Sequence, residues 1–194
     1  MKLMRIFSSE SYKGTRAYID SQKKYEIIRT VLYFAISLSL FLAGYITTKT
    51  KVNLLTVVAV LGCLPACKSV VGMIMFLKFK SLTKASAERI ETHSEGLVTL
   101  HDMVFTTYDK NYVIGHITIR GNTVACYSEQ AKLDEAACIK HLNDTLSLDG
   151  LSGITFKVFK DLDKYMQRMD QMKNLEENET QSNAVKDTLL SIAL

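Results

Sequence analysis

The chain has 194 residues, 47% of them hydrophobic, with one proline and nine glycines; this excludes fibrous and low-complexity classes and leaves room for one modest domain beside a membrane anchor. The formal charge of +4 is uneven: residues 1–29 carry seven Lys/Arg against three Asp/Glu, residues 30–77 three Lys and no acid, residues 78–194 fourteen against seventeen. The part beyond the apolar region is slightly acidic, which argues against a nucleic-acid partner, while the basic excess lies beside the apolar region, where it suits anionic headgroups.

Residues 1–29 read as a basic N-terminal helix. Over Ser8–Arg29 the residues Tyr18, Tyr25 and Leu32 recur at seven-residue spacing, and Gly14 is the weak point. This segment is either a solvated helix continuing into the membrane or an amphipathic one lying on the bilayer or against the soluble domain.

Residues 30–79 predict a two-helix transmembrane hairpin. Thr30–Thr48 has no charge over the length that a hydrocarbon core requires. Val52–Leu77 is apolar too, but longer than one span needs and interrupted by Pro65 and Lys68. A cleaved signal peptide is disfavoured by the long charged stretch before the first segment and by the lack of an A-x-A site after it. With only Lys49–Lys51 between them, the two spans must be antiparallel. Lys and Arg cluster on the two outer flanks, so the positive-inside rule expects both termini in the cytoplasm.

Pro65 and Lys68 form the candidate intramembrane functional site. A helix-interior proline removes a hydrogen bond and usually kinks the helix. A lysine in mid-span is costly and invites a role as counter-ion, substrate contact or link between subunits. The competing reading places Lys68 at the interface, its amine snorkelling to the headgroups while Ser69–Leu77 continues as a packed helix. Gly44, Gly62 and Gly72 are positions where helices can approach closely.

Residues 80–96 predict a helical connector extending the second span and ended by Gly96. Residues 97–175 predict a two-layer α+β domain of order βββαβα, with helices on one sheet face. Its meander, Leu97–Ser128, turns at Y-D-K-N and R-G-N. A helix Leu133–Leu148 capped by Asp134 and a strand Ile154–Phe159 come next. In the last helix, capped by Asp161, Leu162, Tyr165, Met166, Met169 and Leu175 recur at helical spacing. Residues 176–194 predict a polar linker and an apolar C-terminal segment. In that segment Val185, Leu189, Leu190 and Ile192 either dock on the domain or are captured by a partner.

No phosphate loop, nucleophile elbow, zinc-helix motif or dinucleotide turn is present in the sequence, so no catalytic, cofactor or metal residue is assigned. Two weaker groupings remain. A hairpin can bring His101 toward His116, with Asp102 adjacent, although alternate strand faces and loop lengths can equally separate them; Cys126, Glu129 and His141 can gather near a sheet edge. The four cysteines, Cys63, Cys67, Cys126 and Cys138, have no metal-ligand spacing and read as small buried residues of a reducing compartment. The function these features favour is a membrane-anchored cytoplasmic interaction module, an accessory or assembly subunit with a protein partner or further copies of itself. The alternatives are a membrane-bound enzyme using the His/Cys groups and an oligomeric transport-related protein using Lys68.

Overall fold

The computed structural model describes residues 12–50 and 53–194. Within these the chain forms two compact units: one contains residues 19–80, the other residues 12–18 and 81–194. The part of the predicted N-terminal helix before residue 12 lies outside the described residues, as does Val52, the first residue of the predicted second span.

The first unit is an antiparallel pair of long helices. Helix α1, Tyr18–Thr48, runs without a break through the charged segment into the apolar one. Residues 12–17, by contrast, are turns, with Gly14 at φ +75° and Ala17 at +56°. Lys49, at φ +52°, ends α1. Helix α2, Leu54–Lys78, is capped by Asn53, whose Oδ1 accepts from the Thr56 amide while its Nδ2 donates to the Thr48 hydroxyl. Both helices are long and apolar enough to cross a membrane, and only 17% of the most apolar stretch of each is buried.

Small and polar residues set the helix register. A side chain at Gly44 would meet Asn53 and Leu55, one at Gly62 would lie 2.8 Å from the Ser37 hydroxyl, and one at Gly72 would lie 3.3 Å from the Glu26 carboxylate. Between the last two crossings, Thr30 and Ser69 share a hydroxyl hydrogen bond of 2.8 Å. The three glycines thus mark places where the helix backbones come close.

The predicted connector does not extend α2. The chain is extended at Phe79, and the next helix, α3, spans Lys84–Glu91. The reason lies far off in sequence. The Leu82 amide donates to the Asp102 carboxylate, and the Thr83 amide and hydroxyl donate to Glu129. The Leu82 side chain fills space over Gly115, where an added Cβ would stand 2.7 Å from it. Gly96, at φ +75°, closes the turn after α3.

The second unit is an α+β domain on one four-stranded sheet of order β1-β2-β3-β4: Val98–Thr106, Asn111–Arg120, Thr123–Tyr127 and Thr155–Phe159. The first three form the expected antiparallel meander, and β4 lies parallel to β3. A parallel neighbour needs a crossover, supplied by α4, Glu135–Leu148, with the Asp134 side chain accepting from the Ala137 amide at its start. Helix α5, Leu162–Lys173, is capped by Asp161 in the same manner. Leu175 falls beyond its end, and Met172 takes the buried place.

Helices cover both faces of the sheet, not one. Cys138, Leu142 and Leu146 of α4 and Val185 and Leu189 of α6 (Glu179–Ile192) pack on a face built from Phe105, Ile114, Ile117, Val124, Cys126 and Val158. Ile90 of α3 and Tyr165, Met169 and Met172 of α5 pack on the other, against Ala125 and Tyr127. Strand β3 explains this arrangement. Its V-A-C-Y has no polar alternation, the pattern of a strand buried on both sides.

The segment read as a polar linker is largely the first part of α6. Asn178 caps it, and the buried Ser182 hydroxyl accepts from the Gly121 amide at the β2–β3 turn. Its polar residues occupy the solvent side of an amphipathic helix. The outer edge of β1 is also covered. The Gly14 carbonyl accepts from the His101 amide, the Leu194 amide donates to Val104, and the Lys13 amine donates to the Ala193 carbonyl. Such cover removes an unpaired strand edge as a site of aggregation.

Candidate functional site

The first candidate is the level of the hairpin that holds Lys68. Helix α2 is continuous through Pro65, which is exposed. Lys68 is exposed as well and forms no ion pair among the described residues. Its neighbour Ser69 is buried and bonded to Thr30, and the Arg29 Nε lies 3.4 Å from the same hydroxyl. Arg29 also pairs with Glu26, whose carboxylate is buried and accepts in addition from Gln22. Lys68 therefore sits level with Arg29 and Thr30, at the end of the uncharged stretch of α1, and not midway along it. From Thr30 to Thr48 the uncharged stretch of α1 rises about 27 Å at 1.5 Å per residue, close to the ~30 Å hydrocarbon core.

The second candidate is the histidine pair. The β1–β2 register places His101 directly opposite His116, and their rings meet edge to face with centroids 4.5 Å apart. Asp102, at φ +50°, breaks the strand's side-chain alternation there. As a result Leu100 and Met103, three apart, both face the α4/α6 core, as do Ile114 and Ile117. His116 points to the other face. Its Nδ1 lies 2.6 Å from the Tyr165 hydroxyl, which is 2.7 Å from the Thr118 hydroxyl. All three are fully buried, and the His116 Nε2 has no hydrogen-bond partner among the described residues.

Electrostatics follow from that burial. Desolvation, helped by the neighbouring His101, pulls the His116 pKa down to about 3, so the ring is neutral at physiological pH. Desolvation also lowers His101. It raises Tyr165 well above the usual phenol range, against the opposing bond from Thr118. With Tyr165 protonated and donating to Nδ1, the His116 proton belongs on Nε2. No group of three or more metal-ligating side chains exists among the described residues.

Cys126, Glu129 and His141 are not gathered. Cys126 is buried in the core, where desolvation and then Cys138 raise its pKa. Burial pushes the Cys138 thiol up to about 12. Glu129 caps α3 through Thr83 and Ser86, and His141 lies beside the Tyr112 ring. Cys63 and Cys67 lie on α2, one partly covered and one exposed. In the tail, Val185 and Leu189 are fully buried in the domain's own core, and Leu190 and Ile192 are partly buried against it.

Sequence reasoning missed Asp102 and Glu129 as organisers of the chain around Leu82 and Thr83. It also missed Glu26, Arg29 and Ser69 as partners at the Lys68 level. The available signal was the few polar residues, Glu26, Thr30, Ser37 and Ser69, standing in helices that are otherwise largely apolar. Comparison of the chain with known protein families, with curated proteins and with solved structures finds no match.

Proposed function

We propose that the chain is a membrane-anchored interaction module. In this reading α1 and α2 span the bilayer, both termini face the cytoplasm, and the α+β domain serves as an accessory or assembly subunit of a membrane complex. The observation that carries it is the inverted surface of the hairpin. Val31, Leu38, Ile46, Leu54 and Leu64 are exposed by 62, 60, 73, 79 and 68%, while Glu26, Thr30, Ser37 and Ser69 are buried. Water would penalise such a surface, and hydrocarbon would not. The Lys/Arg excess on the outer flanks supports the orientation.

An enzyme built on the histidine pair has less support. A general acid or base must reach the proton it transfers, whereas His116 is wholly enclosed with Nδ1 occupied by Tyr165. A transport role for Lys68 also has less support, because Lys68 lies level with the end of the uncharged stretch of α1.

The test is extraction followed by gentle purification. The chain should stay in the membrane pellet through an alkaline carbonate wash and then co-purify in mild detergent with a partner at fixed stoichiometry. Release by carbonate would refute the anchor. A clean monomer or homo-oligomer would refute the accessory-subunit reading.

A further inference from the structure

On α2 an exposed face carries one continuous stripe: Val57, Leu61, Leu64, Lys68 and Val71, spaced by four, three, four and three residues. The apolar members are exposed by 55, 59, 68 and 64%. The stripe is thus apolar along the stretch level with the uncharged part of α1 and bears a cation where that stretch ends. Lys68 lies one turn before Gly72 on the same side of the helix, and side-chain positions four apart are about 5–6 Å from each other. The Arg29 Nη2 stands 3.8 Å from where a Gly72 side chain would begin. The Arg29 guanidinium therefore lies at the level of Lys68 along the helix pair. Glu26, paired with Arg29, offsets the Arg29 charge, and Lys68 supplies the net positive charge of the level.

We propose that Lys68, with Arg29 at its level, and the stripe Val57–Leu61–Leu64 form a binding site for one anionic phospholipid, its phosphate at Lys68 and an acyl chain along the leucines. The proposal rests on the membrane reading above. An apolar strip that bears a cation where the uncharged stretch of α1 ends, the level the membrane reading gives to the headgroups, is complementary to a lipid's own layout. The single uncompensated charge selects an anionic lipid over a zwitterionic one. A free phosphate ion would use the cations but gain nothing from the leucines.

The test uses the full chain in vesicles of equal parts phosphatidylcholine and phosphatidylglycerol. Flotation with the vesicles is measured first. Extraction into mild detergent and native mass spectrometry then count the lipids retained. Wild type should retain phosphatidylglycerol over phosphatidylcholine by about fivefold, the worth of one lysine at a charged surface. Lys68→Gln should float as well as wild type yet retain both lipids equally. Lys68→Arg should keep the preference, and so should Lys84→Gln, which removes an exposed charge from α3. If the chain floats but shows no preference, or if Lys68→Gln keeps it, the lipid site is refuted and the anchor stands. If the chain does not float, both are refuted.

Discussion

The two units solve opposite packing problems with the same residues. The α+β domain places Phe105, Ile117, Leu142 and Tyr165 inside and leaves its charges other than Asp102 at least partly exposed. The helix hairpin places an ion pair and a hydroxyl pair between its helices and leaves valines, leucines and isoleucines bare. The difference shows where each unit draws its stability. The domain gains from removing apolar surface from water. The hairpin has little of that to gain and relies on close backbone approach and polar contacts at the crossing.

The most direct way to break this comparison is to truncate one leucine in each unit. Leu142 has no exposed surface, so Leu142→Ala should cost the domain about 2–5 kcal/mol. Leu64→Ala should change stability by less than about 0.5 kcal/mol in detergent, because micelle replaces the lost contact. Urea titration followed by near-ultraviolet circular dichroism, which reads the buried tyrosines, reports the first. Titration with sodium dodecyl sulfate reports the second. A large cost at Leu64 would show that protein, not lipid or detergent, covers the outer face of α2.

Much of this was legible in the sequence, for reasons that differ along the chain. The hairpin was legible because two uncharged runs with a short link leave one arrangement. The meander was legible because R-G-N permits a tight turn, with Gly121 at φ +55°. The facing of His101 and His116 then follows from register alone. The break after Lys78 was not legible, since it depends on Asp102, Glu129 and Gly115, residues 20 or more positions away from Leu82 and Thr83. The second helical layer was not anticipated: the expectation was helices on one sheet face, and although V-A-C-Y lacks polar alternation, no local signal assigned α3 and α5 to the second face. Of the candidate site, Lys68 stood out at once. Its level became readable only when Thr30 and Ser69 fixed how the helices pair.

The histidine network sharpens the contrast from the domain side, as a polar group buried in an otherwise apolar interior. The folded pKa of His116 is depressed to about 3 against an ordinary value of 6.5. Between those values the unfolded chain binds the proton and the folded one does not. The stability is therefore fully present above about pH 6.5 and is lost as pH falls toward 3, with a slope of up to about 1.4 kcal/mol per pH unit. Asp134 and Asp170, held below the usual carboxylate range chiefly by hydrogen bonds from Lys110 and His93, add to acid loss at the lower end. The informative quantity is thus the difference between wild type and His116→Phe. The variant should have a shallower slope between pH 6 and 4, by the His116 share, while the Tyr165–Thr118 bond remains. An unchanged slope in the variant would mean that His116 is protonated, or water-accessible, in the folded protein.

The smallest effect probes the hairpin from its polar side. Ser69→Ala removes the hydroxyl that Thr30 shares and that Arg29 approaches. In an apolar surrounding a lost hydrogen bond sounds expensive, but two substitutes are at hand. Thr30 sits within a helix, where a threonine hydroxyl can turn to the carbonyl four residues back. Arg29 keeps Glu26. The loss should therefore be near ~0.6 kcal/mol, the average for such bonds between membrane helices. Titration with sodium dodecyl sulfate, read by the distance between labels on Asp20→Cys and Lys78→Cys with the native cysteines replaced, measures it. A loss several times larger would mean that neither substitute forms, which makes the Thr30–Ser69 bond the fixed point of the helix register. No loss would place the register in the backbone contacts at Gly62 and Gly72 alone.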